Sequence, residues 1–486
     1  MAMTPVVSRH TLFYDLLDSF KQRGCPICRL GRVTVARYLD ALAYENVNDP
    51  GVRDKLRSAR GFCNYHAYQF LDDVRDLLAV GIVYRDVVHA SALAVSEGSG
   101  RSLFWPILPS QRNGSSVSGS DDGPPSPLAP TGHCPACEAL RESVSDRLHV
   151  FLQHLQESDF RLAYEASDGL CYPHFLKALA EVGDSSQLSA LVASEMTLLE
   201  DSGRRYGQLD PLQLLALSFG QPGTIPHQTG HVGGVRRALR AAADAEPADW
   251  THTDPDRCPI CEATRPGLTH TLEEFALGAV SDEDPAAELA SVCNRHAWQL
   301  AESHGDDLAP WLPSLEGHRR TELEAVASDL LTYDGLHGGF QLPSRSPRAQ
   351  RVGRQIARRL EGRGTCPLCR AQSRLEIDAL WRYLTSSQPA ARAGPSGVAG
   401  NGGTKAKLTV ATLCLPHLIQ ADCLPLTAEQ RIALVERQRL GWGNLISELL
   451  DYIRKQDYRF RDEPRGHEQT SPRRAVEQMA GQKGVR

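Results

Sequence analysis

The chain has 486 residues, 41% of them hydrophobic, and a formal net charge of −6 at pH 7. This length predicts three or four domains, and the apolar fraction is sufficient for packed cores. The small negative charge gives no reason to expect nucleic-acid binding from the charge of the whole chain. The first 20 residues lack a basic start followed by an unbroken apolar core, and no run of 18 apolar residues occurs. We therefore expect neither a signal peptide nor a membrane span, but a cytoplasmic protein with reduced thiols.

A cluster of cysteines and one histidine recurs four times, as Cys-Pro-x-Cys followed after tens of residues by Cys-x-x-His. The copies are Cys25/Cys28 with Cys63/His66, Cys134/Cys137 with Cys171/His174, Cys258/Cys261 with Cys293/His296, and Cys366/Cys369 with Cys414/His417. Three thiolates and one imidazole form a closed tetrahedral ligand set for zinc. The pattern predicts four structural zinc sites, each formed within one copy.

The first cysteines of the copies lie 109, 124 and 108 residues apart, which predicts a duplicated unit of roughly a hundred residues. The predicted boundaries are module 1 at 1–110, a linker at 111–131, module 2 at 132–220, a linker at 221–247, module 3 at 248–336, a linker at 337–348 and module 4 at 349–486. The linkers are rich in Gly, Pro and Ser and are expected to be flexible, and an insertion at 387–407 in module 4 is expected to be disordered.

Within the modules, apolar residues recur at helical spacing and strand-like alternation is hardly visible, so the predicted fold class is all-α. The proline of Cys-Pro-x-Cys stiffens the turn between the two sulfurs, and the second cysteine is expected to open a helix whose positive dipole end favours the thiolate. In Cys-x-x-His, both ligands share one helix face because residues i and i+3 are neighbours. We call each Cys-Pro-x-Cys the first half-site of its copy and each Cys-x-x-His the second half-site. Gly61 and Gly169 are expected to cap the short helices before the second half-sites.

Two other interpretations of the cysteine motifs remain open. An iron–sulfur cluster is one, because Cys₃His sets also bind iron. A redox-active dithiol is the other, since CPIC, CPAC and CPLC resemble the glutaredoxin-type motif, although no βαβ context accompanies them. Four protein ligands leave no open position for a catalytic zinc. With no phosphate-binding loop and no nucleophile elbow in the sequence, we predict that the protein is not an enzyme.

The run Arg345–Arg363 is basic and carries apolar residues at four-residue spacing, which predicts an amphipathic helix. The simpler interpretation is a packed helix with a solvated charged face, and the alternative is a contact for nucleic acid or an acidic partner. The residues assigned to such a contact are Arg348, Arg351, Arg354, Arg358 and Arg359.

Several other residues receive structural interpretations. The thirteenth cysteine, Cys423, is expected to be a buried thiol, and His149 and His154 are expected to be surface or packed histidines. Three residues after each ligand histidine stand Gln69, Lys177, Gln299 and Gln420, which are expected to be exposed helix positions, with support of the ligand histidine as the alternative.

The sequences GCPICRL, GFCNYH, HCPACEAL and GLCYPHFLKAL resemble those of a bacterial family of unknown function whose members carry two such modules. The segment RKQDYRFRDEP near the C-terminus is similar to the ending of that family. The resemblance implies two tandem family copies, at residues 1–220 and about 235–480, with two sites each. It implies no activity.

Together these features predict a non-enzymatic protein of four zinc modules that acts as a scaffold or adaptor for a macromolecule, with a protein as the expected partner and no membrane. A nucleic-acid-binding protein that uses the basic helix is one alternative. An iron–sulfur or dithiol redox protein is another. The oligomeric state stays open.

Overall fold

The computed structural model describes residues 11–102, 126, 128–200, 210–225, 254, 256–278, 289–308, 314–315, 317–318, 320–326, 328, 347–360, 366–385, 392–393, 408–409 and 411–484. The predicted linkers at 111–131, 221–247 and 337–348 lie largely outside these residues, and so does most of the insertion predicted to be disordered.

The all-α fold class is confirmed. In the first half of the chain the helices are α1 (Thr11–Phe20), α2 (Pro26–Ala41, continued by a π-helical turn Leu42–Asn46), α3 (Pro50–Ser58), α4 (Asn64–Asp72), α5 (Leu77–Ser102), α6 (Pro135–His154), α7 (Ser158–Glu165), α8 (Tyr172–Glu181), α9 (Ser185–Glu200) and α10 (Pro211–Phe219). In the second half they are α11 (Pro259–Ala276), α12 (Asn294–Leu308), α13 (Pro347–Leu360), α14 (Pro367–Thr385), α15 (Leu415–Asp422), α16 (Ala428–Arg454) and α17 (Ser471–Ala480). Short 3₁₀ helices occupy Tyr458–Phe460 and His467–Thr470, and residues 320–326 are also helical. The described strands are β1 (Arg392–Ala393) and β2 (Leu408–Thr409), a two-residue antiparallel pair at the edges of the insertion.

Each half-site lies at the start of a helix. The proline of every Cys-Pro-x-Cys is the first residue of its helix, namely α2, α6, α11 and α14. Proline is favoured there because its missing N–H would have no partner in the first turn. Each Cys-x-x-His opens a second kind of helix, α4, α8, α12 or α15, immediately after its cysteine. Both kinds of half-site therefore present their ligands from a first turn, as the motif spacing predicts.

Glycines end the segments that precede the second half-sites, as predicted. Gly61 has φ of +96° and Gly169 has φ of +79°, backbone conformations that favour glycine. The Gly61 N–H donates to the carbonyl of Leu56 at 2.8 Å, which closes the end of α3. The turn at each glycine directs the chain into the following cysteine.

The chain divides into two compact units, each assembled from three separate segments. Unit 1 comprises Met1–Arg37, Glu138–Gln228 and Thr269–Ala371. Unit 2 comprises Tyr38–Cys137, Thr229–Leu268 and Gln372–Arg486. Each unit thus contains residues from both the N-terminal and the C-terminal half of the chain. The boundaries of the four sequence modules stay a prediction.

In unit 1, an aromatic cluster of Phe13, Phe20, Phe151, Phe160 and Tyr164 joins α1, α6 and α7, with ring centroids 4.8–6.5 Å apart. These five rings are nearly or fully buried. Clustered aromatic rings contribute large buried areas and favourable edge contacts. They anchor the N-terminal helix against the helices that position the metal ligands.

The basic helix α13 also belongs to unit 1 and packs closely against α8. A Cβ atom added at Gly353 would lie 2.1 Å from the carbonyl oxygen of Leu179 and 2.6 Å from Val182 Cγ2. Ala357 and Leu360 on the same face are buried, whereas the arginines of the opposite face are exposed. The predicted amphipathic packed helix is therefore confirmed, and the contact depends on glycine.

In unit 2, α5 forms the centre of a helical core and packs along α16 and α17. Its stretch Leu77–Ser96 has a mean hydropathy of 1.5, and half of it is buried. By length and composition this one helix among the described residues could cross a membrane, and the expected absence of a membrane span stays a prediction. A buried core helix passes the same test. Gly81 lies close to Tyr452 of α16, and Asp86 forms an ion pair with Arg57 of α3.

The close contact at Gly353 leads us to predict a loss of stability when a side chain is added there. Gly353→Ala should lower the free energy of unfolding by about 1–3 kcal/mol, because a methyl group would displace the Leu179 carbonyl in a packed interface. The matched control is Gly443→Ala in α16, where an added Cβ meets nothing within 4 Å. The control should be neutral or stabilising by up to about 1 kcal/mol, since alanine is the better helix former. Urea denaturation followed by circular dichroism measures both, and equal stability of the two variants would refute the close packing of α13 on α8.

Candidate metal centres

The sixteen predicted ligand residues come together in four clusters of three cysteines and one histidine. The clusters are centre A (Cys25, Cys28, Cys171, His174), centre B (Cys63, His66, Cys134, Cys137), centre C (Cys258, Cys261, Cys414, His417) and centre D (Cys293, His296, Cys366, Cys369). Within each cluster the four candidate donor atoms all lie within 4.8 Å of one another. Each cluster could hold one metal ion.

The predicted pairing of half-sites within one copy is wrong. The Cys-Pro-x-Cys of the first copy meets the Cys-x-x-His of the second, and the reverse holds for the other two half-sites. The third and fourth copies exchange in the same way. Each centre therefore joins two copies of the motif.

Helix length explains the exchange. Cys25 and Cys28 lie at the start of α2, and the next Cys-x-x-His follows beyond its far end. A helix of 16 residues separates its ends by about 24 Å, and the 9 residues of α3 return the chain by only about 14 Å. The segment that leads from α6 to Cys171 lies beside the start of α2 instead, because Asp168 accepts hydrogen bonds from Gly24 N at 2.6 Å and from Arg23 at 2.9 Å. The chain leaving the end of α6 therefore delivers Cys171 and His174 to Cys25 and Cys28.

The distances between donor atoms match a tetrahedral zinc site. Four sulfur–sulfur distances, one per centre, are 3.6, 3.7, 3.8 and 3.7 Å. The distances from sulfur to histidine Nδ1 run from 3.1 to 3.6 Å. Zinc bond lengths of about 2.3 Å to sulfur and about 2.0 Å to nitrogen place tetrahedral ligands roughly 3.8 Å and roughly 3.5 Å apart. The sulfurs are also too far apart for a disulfide, whose bond is about 2.05 Å.

The charges of centre A favour the binding of a cation. Burial raises the pKa of Cys28, but hydrogen bonds to its sulfur outweigh this and hold that pKa well below its usual value. The donors include Thr224 Oγ1 at 3.2 Å and Gln221 N at 3.4 Å. Burial and the neighbouring Cys25 and Cys28 raise the pKa of Cys171 well above its usual value. Three buried thiolates repel one another, so a divalent cation is the partner that allows all three to ionise.

Centre C has an acidic residue behind its histidine. His417 is fully buried and presents Nδ1 to the sulfurs, while its Nε2 lies 3.7 Å from Glu376 Oε1. The Glu376 carboxylate accepts hydrogen bonds from Gln372 at 2.8 Å and from Gln420 at 2.9 Å. A carboxylate behind a ligand imidazole orients the ring and raises its basicity.

The expectation of an exposed position was wrong for Gln420, which is 6% exposed because its amide holds Glu376. At the matching positions Gln69, Lys177 and Gln299 are half-buried. Cys423 was also misjudged, because it is exposed at the end of α15. Both errors arise because the face that a short helix presents to its neighbours depends on packing that sequence spacing does not reveal.

The histidines outside the centres follow the structural interpretation. His149 is exposed and lies 2.8 Å from the Gln153 amide, whereas His154 is fully buried and pairs with Glu157 at 2.7 Å. They do not form a site together.

Of the arginines assigned to a contact surface, Arg351, Arg354, Arg358 and Arg359 are exposed. The side chain of Arg348 lies outside the described residues.

A second repeated feature was not recognised in the sequence. Cys63 and Cys293 are each followed by Asn-x-His-Ala and then by an aromatic residue, whereas Cys171 and Cys414 are followed by x-Pro-His. The sequence Gly-Gln-x-Gly occurs at Gly220–Gly223 and again at Gly481–Gly484. All four of these glycines have positive φ. The alternation of two forms of Cys-x-x-His was the available signal.

Centre A is supported by Tyr164, whose hydroxyl accepts from the N–H of Leu170 at 3.1 Å and donates to the carboxyl group of Glu195. Leu170 directly precedes Cys171, so this network fixes the ligand loop. Burial raises the pKa of Glu195 to about 8. The folded protein therefore keeps Glu195 protonated at neutral pH, whereas an unfolded chain ionises it near its ordinary pKa of about 4.3.

The pairing of half-sites can be tested by counting metal ions that resist a chelator. The double variant Cys25→Ala/Cys171→Ala should lose one of four ions, because both residues belong to centre A. The control double variant Cys25→Ala/Cys63→Ala should lose two, because it damages centres A and B. Pairing within one copy predicts the reverse, with two ions lost from the first variant and one from the second. Metal analysis by mass spectrometry distinguishes the two outcomes.

Glu195 predicts a pH dependence of stability. Since the folded state binds one more proton than the unfolded state between about pH 4.3 and pH 8, Glu195 makes the free energy of unfolding fall as pH rises, by up to about 1.4 kcal/mol per pH unit. Glu195→Gln mimics the protonated form and should remove this slope. The free energy of unfolding of the variant should exceed that of the wild type most strongly above pH 8. The control Glu142→Gln, at an exposed position of α6, should keep the slope. Urea denaturation from pH 5 to pH 9 measures it, and a Glu195→Gln profile parallel to the wild type would contradict the assignment.

Comparison with known proteins identifies relatives but no activity. Residues 13–195 match the model of a family of unknown function (DUF6062). This segment contains the first two copies of the motif. A second tandem copy of the family in the remaining chain stays a prediction.

The chain is also similar to an uncharacterised 23.9 kDa protein in the xynA 3' region of Caldicellulosiruptor sp. (strain Rt8B.4), with 33% identity over 75 residues. The match covers 15% of this chain and 36% of that protein, so the chain spans about a third of the relative's length. No solved structure shows significant similarity.

Proposed function

We propose that this is a non-enzymatic, cytoplasmic zinc protein that acts as a scaffold or adaptor, with its zinc ions holding helices in place for binding a protein partner. The observation that carries the proposal is the fourfold recurrence of one closed donor set. Each set supplies four protein ligands, which complete a tetrahedral shell and leave no position for a reacting water or substrate.

The geometry favours a single zinc ion per centre over an iron–sulfur cluster. All four donors of a centre lie within 4.8 Å of one another, a spacing that one ion spans. In an iron–sulfur cluster the cysteines bind different iron atoms. The dithiol alternative is weakened because each Cys-Pro-x-Cys faces a third sulfur and an imidazole rather than a substrate opening.

A comparison of the free energy of zinc binding with the stability of a domain also supports a structural role. Structural zinc contributes about 10–16 kcal/mol in small zinc-finger peptides near neutral pH. Whole domains are typically stable by only about 5–15 kcal/mol. Each unit contains two centres that hold helix starts from distant parts of the sequence. Loss of the ions is therefore expected to unfold the units rather than to stop a reaction.

Anaerobically purified protein should contain four zinc ions per chain and be colourless. Removal of the ions by a strong chelator should abolish most of the helical circular dichroism signal, and adding zinc should restore it. Acid-labile sulfide and a brown colour would instead establish an iron–sulfur protein. A metal-free preparation with full helicity would contradict the structural role of the ions.

The adaptor role is supported by the four closed centres among the described residues, each of which offers four protein ligands to one ion. Affinity capture with the zinc-loaded chain should retain one protein partner in stoichiometric amount. The variant Cys25→Ala/Cys171→Ala, which lacks centre A, should retain less of it. Turnover of a small molecule by the purified protein, without a retained partner, would refute the proposal.

Nucleic-acid binding is a second candidate because α13 presents an arginine face. Arg351, Arg354 and Arg358 are exposed on the side opposite to buried Gly353 and Ala357. Arginines along one helix face can follow the phosphates of a nucleic acid. The net charge of −6 favours the protein partner instead.

The two candidates differ in their response to salt. If α13 binds nucleic acid, the double variant Arg351→Ala/Arg354→Ala should reduce the slope of log affinity against log salt by about 1.8, which corresponds to two lost phosphate contacts. The control Arg32→Ala/Arg37→Ala, at exposed positions of α2, should leave the slope unchanged. Titration of labelled DNA and RNA at several salt concentrations measures it. Absence of binding, or equal slopes for the two variants, removes the second candidate.

A further inference from the structure

Each unit contains a joint between the N-terminal and the C-terminal half of the chain. We name the half that ends at residue 225 the N-half and the half that begins at residue 254 the C-half. Each half ends in a short helix followed by Gly-Gln-x-Gly. We call the segment that contains this motif the tail; it comprises residues 219–224 in the N-half and 480–484 in the C-half.

In unit 1 the tail of the N-half binds the C-half beside centre D. The Asn294 side-chain amide donates to the carbonyls of Phe219, Gly220 and Gln221 at 2.7, 3.0 and 3.3 Å. Trp298 Nε1 donates to the Gly220 carbonyl at 2.8 Å. The last carbonyls of a helix have no partner within the helix and carry its negative dipole end. Asn294 and Trp298 supply donors to these carbonyls.

In unit 2 the same contact occurs with the halves reversed. The Asn64 amide donates to the carbonyls of Ala480, Gly481 and Gln482 at 2.9, 3.3 and 3.1 Å. The Tyr68 hydroxyl donates to the Gly481 carbonyl at 3.1 Å. Asn64 and Asn294 each follow a ligand cysteine, and the aromatic donors each stand four residues further on. The two joints therefore use equivalent residues.

Each tail also contacts the other metal centre of its unit or the helix that begins there. Thr224 Oγ1 and Gln221 N of the first tail donate to Cys28 Sγ of centre A. Gln482 Oε1 of the second tail accepts from Arg265 at 2.7 Å, four residues after Cys261 of centre C. A tail therefore connects a centre formed by the N-half with a centre formed by the C-half.

Further contacts between the halves strengthen each joint. In unit 2, Asp72 of the N-half forms ion pairs with Arg473 at 3.3 Å and Lys483 at 2.9 Å. In unit 1, the Tyr172 hydroxyl of the N-half donates to the Leu360 carbonyl at 2.8 Å, beside the packed contact of α13 with α8. The joints include both polar recognition and apolar packing.

We infer that the two halves of this chain form an intramolecular dimer, in which each half docks its Gly-Gln-x-Gly tail on a surface of the other half. We call this the Asn-aromatic surface; it consists of Asn64 and Tyr68 in the N-half and of Asn294 and Trp298 in the C-half. The exchange is reciprocal and complete within one chain, because each of the two tails meets one of the two Asn-aromatic surfaces. The occupant of each surface is therefore the other half of the same chain and not a second copy.

A cut between the halves tests this assignment. A recognition sequence for a site-specific protease is placed within residues 226–253 of the full chain, and the folded, metal-loaded protein is cleaved. The two fragments should co-elute at the mass of one chain by light scattering and separate only in denaturant. Separation in native buffer would overturn the inference. A mass of two chains would assign the tails to a second copy and overturn it as well.

Single variants test the joints locally in the uncut protein. Asn294→Ala should increase hydrogen exchange at the amides of Gly220, Gln221, Gly223 and Thr224 by at least about tenfold and leave 481–484 unchanged, because it removes the side-chain amide that binds one tail only. Asn64→Ala should do the opposite. The control Asn46→Ala, which removes only a local hydrogen bond to the Ala41 carbonyl, should affect neither tail. Equal exchange at both tails in all three variants would refute the reciprocal docking.

Discussion

The structure depends on the confinement, in each of four centres, of three sulfurs and one imidazole nitrogen to a space that fits one metal ion. Without a cation, buried thiolates at these distances repel one another, so burial and the neighbouring sulfurs raise the pKa of Cys171. A divalent ion at such a centre would convert this repulsion into attraction and hold two helix starts together. Because the ligands lie in first turns, the position of each ion would set the direction of two helices.

Exchange of half-sites gives the fold its long-range connections. In centre A, Cys28 and Cys171 are 143 residues apart in the sequence, so an ion bound there would close a long loop of the chain. Each unit contains one centre made by the N-half and one made by the C-half. Between them lies a tail whose helix-end carbonyls accept from an asparagine that follows a ligand cysteine. Metal binding and the association of the halves therefore share the same short segments.

The sequence predicted the helical class, the sixteen ligand residues and the glycine turns at Gly61 and Gly169, because each depends on local spacing. It did not predict which half-sites meet, since both pairings use the same residues and differ only in the direction of helices such as α2 and α6. The burial of Gln420 and the exposure of Cys423 were missed for a related reason, as both depend on the neighbours of the short helix α15. The docking role of Asn64 and Asn294 had a sequence signal in the Asn-x-His-Ala motif, but its meaning depends on a tail more than 400 residues from Asn64.

The central claim is that metal ions join half-sites from neighbouring copies of the motif. Anomalous diffraction at the zinc absorption edge, from crystals of anaerobically purified protein, tests it most directly. We predict four peaks, with the first bound by Cys25, Cys28, Cys171 and His174, and each of the other three by an equally exchanged set. A peak bound by Cys25, Cys28, Cys63 and His66, or a folded chain without metal, would contradict the account.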